Sequence, residues 1–183
     1  MIKEYQVNLT KEQEQFIEWV VNGEDFPLFS WFSDTAAGID GGKKINPIFA
    51  HTLRTRGSDH TKDVWGTPNS DYVERFEGIF KDFCKENNIK WDRILRSAVN
   101  FTTHQPKDSE CFIHRDHEFP HRNFLMYLNE WTSGETQFFD DERRLIKIVH
   151  PQKYKAVVSD SELHTQGYCD PHQRRVVLVV TFN

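Results

Sequence analysis

Apolar residues recur at helical spacing in two places in the first half of the chain. Phe16, Ile17, Trp19, Val20 and Val21 form a stripe behind the polar opening Thr10-Lys11-Glu12-Gln13-Glu14. The spacing predicts a helix with Thr10 as N-cap and Asn22-Gly23 as its stop. A second stripe, Val73, Phe76, Ile79, Phe80 and Phe83, follows Ser70-Asp71 and ends at Asn87-Asn88; it predicts the longest helix of the chain. Between the two, Gly38, Gly41, Gly42, Pro47, Gly57, Gly66 and Pro68 break the pattern, leaving short extended runs near 28–32 and 47–54. Strands joined by mobile loops, with a lid among them, are expected there.

After Trp91 the period changes from helical to extended. Short runs at 94–103, 110–115, 122–128, 135–139, 144–149, 155–158 and 174–182, separated by turn residues, predict a sandwich or barrel-like β core. Helices first and strands afterwards make the expected class α+β, mainly β, with a helical layer supporting the core. A chain of 183 residues suits a single domain, 1–183, with about 1–92 as helical support and lid segment and about 93–183 as β core.

Composition narrows the function classes. With 37% hydrophobic and 28% charged residues the chain has both a core and a solvated surface. A net charge of −5 argues against non-specific attraction to nucleic acid. No apolar run is long enough to cross a bilayer, and Met1 to Gln6 lacks the apolar stretch of a signal peptide, so a soluble cytoplasmic protein without membrane contact is expected. Cys84, Cys111 and Cys169 are widely spaced, with no CxxC pair, and read as reduced thiols.

The candidate chemistry lies in the second half. His114 and Asp116, two apart on a predicted strand, share one face, while Arg115 points away. His164 follows the apolar run Ala156-Val157-Val158 and the turn Ser159-Asp160-Ser161, where a returning strand can bring it to the same place. Two imidazoles and one carboxylate, with open positions left over, are the facial triad of non-haem Fe(II) oxygenases. Arg174, ten positions after His164, opens the most apolar strand of the chain. A basic residue there suits an anionic co-substrate, since a guanidinium matches a carboxylate bidentately. Alternation groups Arg174 with Val176, Leu178, Val180 and Phe182, and Arg175 with Val177, Val179 and Thr181; either arginine can be the one facing inward. His117, His121 and His172 read as solvated or supporting groups, and Asp140 to Arg144 as a hairpin turn. The tryptophans read as packing residues, with Trp65 the candidate for substrate contact.

Taken together, HRD at 114–116, YLN at 127–129, Gly134-Glu135-Thr136-Gln137-Phe138-Phe139, His164 and RRVVLVVTF at 174–182 resemble the 2-oxoglutarate/Fe(II)-dependent dioxygenase superfamily, nearest its prolyl-4-hydroxylase-like branch. The match runs from about Asn100 to the C-terminus. The resemblance implies a double-stranded β-helix, a cupin-like jelly-roll, with N-terminal helices packed outside. It implies His114, Asp116 and His164 as the catalytic Fe(II) ligands, and Arg174, with Tyr127, as partners of the distal carboxylate of 2-oxoglutarate. O2 would be the second co-substrate, with ascorbate as an optional accessory. The implied reaction is hydroxylation of a C–H bond, of a prolyl or other residue in a protein or peptide, releasing succinate and CO2. A small-molecule substrate stays open. Oxidative demethylation of nucleic-acid bases is the disfavoured alternative, because no arginine follows Arg174-Arg175, where the base-repair branch carries RxNxTxR. A cupin-like metal-binding module without oxygenase activity is the other alternative, which has no need of an anion clamp at Arg174. The chain departs from its nearer relatives at His104, where they often carry a tyrosine ten residues before the HxD histidine.

Overall fold

Thr10 caps the first helix as its sequence predicts. Its backbone N–H donates to Gln13 Oε1 at 2.9 Å, and Gln13 N–H donates back to Thr10 Oγ1 at 3.2 Å, so two donors at the helix start are satisfied reciprocally. The computed structural model describes residues 1–22, 31–33 (backbone only), 48–57, 66–103, 113–170 and 172–183. Helix α1 spans Lys11–Asn22 and helix α2 Val73–Glu86. Helix α2 ends where predicted: Asn88 adopts φ 54°, and Ile89 N–H reaches back to the Cys84 carbonyl at 2.9 Å, closing the last turn through a left-handed residue.

The strands are β1 (Ile2–Gln6), β2 (Trp31–Ser33), β3 (Ile48–Arg54), β4 (Ile94–Thr102), β5 (Arg122–Tyr127), β6 (Thr136–Phe139), β7 (Leu145–Val149), β8 (Lys155–Asp160), β9 (Leu163–Gln166) and β10 (Arg175–Phe182). They form a large sheet of order β1-β8-β5-β10-β4-β3-β2 and a small sheet of order β7-β6-β9. Every pairing is antiparallel, so the described residues are mainly antiparallel β with two helices. The N-terminal half contributes more than helices: β1, β2 and β3 extend both edges of the large sheet. β1 is not predicted from the sequence, and β9 is foreseen only as the returning strand that carries His164. β1 alternates poorly because as an edge strand it is half-exposed, and β9 is only four residues long. Half of the expected strand at 110–115 lies outside the described residues, and 113–115 forms only the isolated bridge of His114; Gly38 to Lys44, Trp65, His104 and Cys111 also lie outside them.

Alternation on the large sheet builds two cores. Phe124, Met126, Val158, Val176, Leu178, Val180 and Phe182 face the helices and pack with Phe16, Ile17, Val20, Phe76, Phe80 and Phe83. Phe80 is fully buried, with its ring centroid 4.8 Å from that of Phe182 and 5.5 Å from that of Phe124. Each such side chain contributes about 1.5–3 kcal/mol, so α1 and α2 are held by the sheet. The opposite face carries Tyr127, Val157, Val177 and Val179, which meet Phe138 and Val149 of the small sheet. Polar side chains gather on this inner face, between the sheets. Among the described residues no helix is long and apolar enough to cross a membrane.

Candidate metal centre

His114 and His164 meet across the small sheet. Each donates its backbone N–H to the other's carbonyl, at 3.0 and 2.9 Å, in an isolated antiparallel bridge; their rings stand 4.6 Å apart. Asp116, two residues on, turns the same way, as strand alternation requires. One donor atom from each of His114, Asp116 and His164 lies within 4.8 Å of the others.

The protonation of His164 and Asp116 suits a cation. Burial pushes the His164 imidazole down to about 4, so it is neutral near pH 7. Its Nδ1 lies 3.2 Å from the Glu162 carbonyl and must carry the proton there, which leaves the Nε2 lone pair for the site. Burial opposes ionisation of Asp116, yet the surrounding His164, His114, Arg96 and Arg56 hold its carboxyl below the usual carboxylate range. Asp116 Oδ2 is buried without a hydrogen-bond partner, 3.5 Å from His164 Nε2. With His164 neutral, that contact brings two electron pairs together, and a divalent cation relieves it. Two imidazoles and one carboxylate are the ligand set of non-haem iron sites with open positions, so the residues present fit the metal.

Arg174 lies on the helix side of the large sheet. Its side chain is exposed and donates to Asn22 Oδ1 at 3.1 Å, at the end of α1. Arg175 is the inward arginine, at 5% exposure. One step along a strand exchanges the two faces: the even residues of β10 meet the helices, so 174 cannot reach the inner face. Arg175 donates to Gln166 Oε1 and Thr136 Oγ1, both at 3.2 Å, and its guanidinium stands 5.9 Å from the Tyr127 ring and 6.0 Å from that of Trp131. Tyr127 is fully buried, with its hydroxyl 2.7 Å from Thr136 Oγ1. Burial pushes its phenol pKa up against the opposing pull of Arg175, so the group stays a neutral hydrogen-bonding hydroxyl. The structure therefore puts Tyr127 beside Arg175 and leaves Arg174 outside.

Gln166 and Thr136 join this cluster without having been assigned a role from sequence. Gln166 lies on β9 two residues beyond His164, and Thr136 pairs with Gln166 as Phe138 pairs with His164. The i+2 relationship to the distal histidine is the signal that could have found Gln166. Two residues of strand span about 7 Å, so the arginine cluster and the three candidate ligands sit one such step apart on one inner face. Asn100 Oδ1, Thr102 Oγ1, both amide atoms of Asn123 and Trp131 Nε1 are also buried there without partners. Buried polar atoms are normally satisfied, and this concentration marks a space built for a polar ligand.

His117, His121 and His172 are not among the three candidate ligands. His117 is buried, with Nε2 2.8 Å from Thr181 Oγ1, and burial, with His121 and Arg56, pushes it down to about 4. His121 is tied to Phe119 and Ser161. His172 is exposed.

No protein-family model matches the sequence, and no curated protein matches it. Solved structures do match the fold. A 2OG-Fe(II) oxygenase family oxidoreductase from Burkholderia pseudomallei superposes with TM-score 0.62 at 14% identity, over 86% of this chain and 74% of that one. A Pseudomonas putida prolyl-4-hydroxylase gives 0.58 at 12%, over 100% and 91%. A Trichoplax adhaerens prolyl hydroxylase, in complex with a hypoxia inducible factor oxygen degradation domain peptide fragment, gives 0.62 at 11%, over 99% and 82%. OsALKBH1 matches as well, with 0.56 at 16%, over 100% and 97%. The chain has the fold these proteins share.

Proposed function

We propose that this chain is a 2-oxoglutarate- and Fe(II)-dependent oxygenase that hydroxylates a C–H bond of a prolyl or other residue in a protein or peptide. One observation carries the reading: the His114, Asp116 and His164 donors and the buried guanidinium of Arg175 share an inner face, one i+2 step of β9 apart. A five-carbon diacid is the right length to bridge them. A metal-binding module without a co-substrate has no need of a buried arginine at that distance. The likeness to two prolyl hydroxylases supports the substrate class.

Bound iron would supply the activation of O2, coupled to decarboxylation of 2-oxoglutarate to succinate and CO2. The protein's own groups do the rest. His114 and His164 offer ring nitrogens, and Asp116 offers its unpartnered Oδ2. Arg175 would take the distal carboxylate of 2-oxoglutarate bidentately, with the Thr136 and Tyr127 hydroxyls beside it as further donors. Arg175 already donates to Gln166 Oε1 and Thr136 Oγ1, which hold the guanidinium in place on β10. Val177, Val179 and Phe138 pack as buried apolar surface beside these groups and would limit water there.

The test is anaerobic loading with Fe(II) and 2-oxoglutarate, then oxygen and an assay for succinate, with and without proline-containing peptides and methylated oligonucleotides. The expected result is a visible charge-transfer band, slow succinate release alone, and faster release with a peptide. Folded, iron-loaded protein that shows neither band nor succinate overturns the proposal.

A further inference from the structure

Asp116 has two arginine neighbours, and neither is committed to it. Arg56 Nη2 and Arg96 Nη1 both stand 3.5 Å from Asp116 Oδ1, whereas a committed guanidinium–carboxylate contact closes to about 2.7–2.9 Å. Elsewhere in this chain Arg54 makes such a contact, holding Glu77 through two bonds of 2.8 and 2.9 Å. Asp116 is the only carboxylate paired with Arg56 or Arg96 among the described residues, and Arg56 Nε is buried without a partner. Arg96 is cross-strand partner to Thr181, so β4 presents it to the inner face, where Thr181 Oγ1 meets His117 Nε2 at 2.8 Å.

The charges do not close. On the reading proposed above, a divalent iron, the Asp116 carboxylate, a dianionic co-substrate and Arg175 balance to neutrality. Among the described residues, Arg56 and Arg96 remain as two positive charges that share the single carboxylate of Asp116. A charge out of water is costly without a full partner, and two guanidiniums converging on one carboxylate oxygen at 3.5 Å, with Arg56 Nε unpartnered, form a fork for an oxyanion. The side chain of Arg56 keeps about a third of its surface exposed, 32%, against 16% for Arg96, so the pair is reached from outside.

We infer that Arg56 and Arg96 bind an oxyanion carried by the substrate next to the oxidised residue, which makes the substrate an acidic peptide. This rests on the oxygenase reading for the identity of the site, but the binding can be measured without turnover. The source of the oxyanion is an Asp or Glu carboxylate or a phosphorylated side chain, and peptide pools separate the two.

Fluorescein-labelled peptide pools with a central proline, flanked by Asp and Glu, by phosphoserine, or by Asn and Gln, are titrated by anisotropy into Mn(II)- and 2-oxoglutarate-loaded protein under nitrogen. One anionic pool binds at least about tenfold more tightly than the neutral pool, the scale of a charge-assisted contact, and the identity of that pool names the oxyanion. Arg56→Gln and Arg96→Gln each bring that preference within about twofold, whereas Arg56→Lys retains part of it. Arg56→Gln, at the more exposed position, decides the matter alone if Arg96→Gln does not fold. Equal binding of neutral and anionic pools overturns the inference. So does a methylated oligonucleotide that binds while no anionic pool does, or a loss of 2-oxoglutarate affinity in both Gln variants that accounts for the whole effect. An intact anionic preference in a protein that makes no succinate leaves this site standing and removes the oxygenase reading instead.

Discussion

His114 and His164 exchange both of their backbone hydrogen bonds, so two of the three candidate ligands are fixed to one another by the main chain rather than by a metal. The imidazoles are brought to 4.6 Å by strand pairing, and Asp116 follows by alternation. Such a centre is pre-formed, unlike a site that folds only around its ion. Removing metal with a chelator will therefore leave the far-UV circular dichroism of the protein unchanged. His114→Ala, Asp116→Ala and His164→Ala will each keep that spectrum and lose at least about a hundredfold in Mn(II) affinity, more than the 10–100-fold typical of groups behind the ligands. A ligand variant that retains its metal would remove that residue from the centre.

Arg175 and Arg174 give a direct contrast between adjacent residues. Arg175→Met removes the buried guanidinium and should weaken 2-oxoglutarate binding by about 10–100-fold, the loss expected for a charged hydrogen bond. Arg174→Met removes a surface contact to Asn22 and should change it less than about threefold. Isothermal titration of the metal-loaded protein reads both, and comparable losses in the two variants would refute the assignment.

These two arginines also show how far sequence reasoning reaches here. Alternation along β10 was readable from the apolar run, and with it the fact that one arginine of the pair faces inward. Which face is inward depends on where α1 and α2 dock, a tertiary relationship that the local pattern does not contain. The His114 and Asp116 pair was readable because strand geometry alone puts i and i+2 together. Gln166 was not, since β9 is too short and polar to announce itself and is held by pairing with β6. Arg56 and Arg96 were likewise invisible, because one lies two residues past the end of β3 and the other on β4, and they meet only at Asp116. β1, an edge strand of five residues, carries no pattern beyond its pairing with β8.

Cys84 should be inert in the folded protein. Burial pushes its thiol up to about 12, against a smaller opposing influence of Arg122, so the reactive thiolate is scarce at pH 8. Cys169 is also buried, with its thiol pushed up by the same cause. In a Cys111→Ser protein, iodoacetamide at pH 8 should label neither residue until urea unfolds the chain, after which both react. Mass spectrometry of the native sample that finds Cys84 alkylated at the rate of a free thiol would contradict this packing.

The last prediction concerns the ion pair under the site. Glu77 of α2 is fully buried and takes two hydrogen bonds from Arg54 and a third, at 2.8 Å, from Ser97 of β4. Arg54 also donates to the Gly66 carbonyl at 3.1 Å, and Gly66 admits no side chain, because a Cβ there would lie 2.0 Å from the Thr55 carbonyl oxygen. One buried pair thus ties α2, β3, β4 and the segment leading to Arg56. Glu77→Ala leaves Arg54 charged and uncompensated, which costs about 3–5 kcal/mol and lowers the melting temperature by about 6–20 °C for a chain of this size. Replacing the pair together, as Arg54→Met with Glu77→Leu, removes the stranded charge and should recover most of that loss. The double variant separates stability from function: without Arg54 the Gly66 carbonyl loses its donor and Arg56 its anchored neighbour. Melting will recover, while any preference for acidic peptides is reduced. Equal melting temperatures for Glu77→Ala and the unaltered protein would show that the pair contributes nothing.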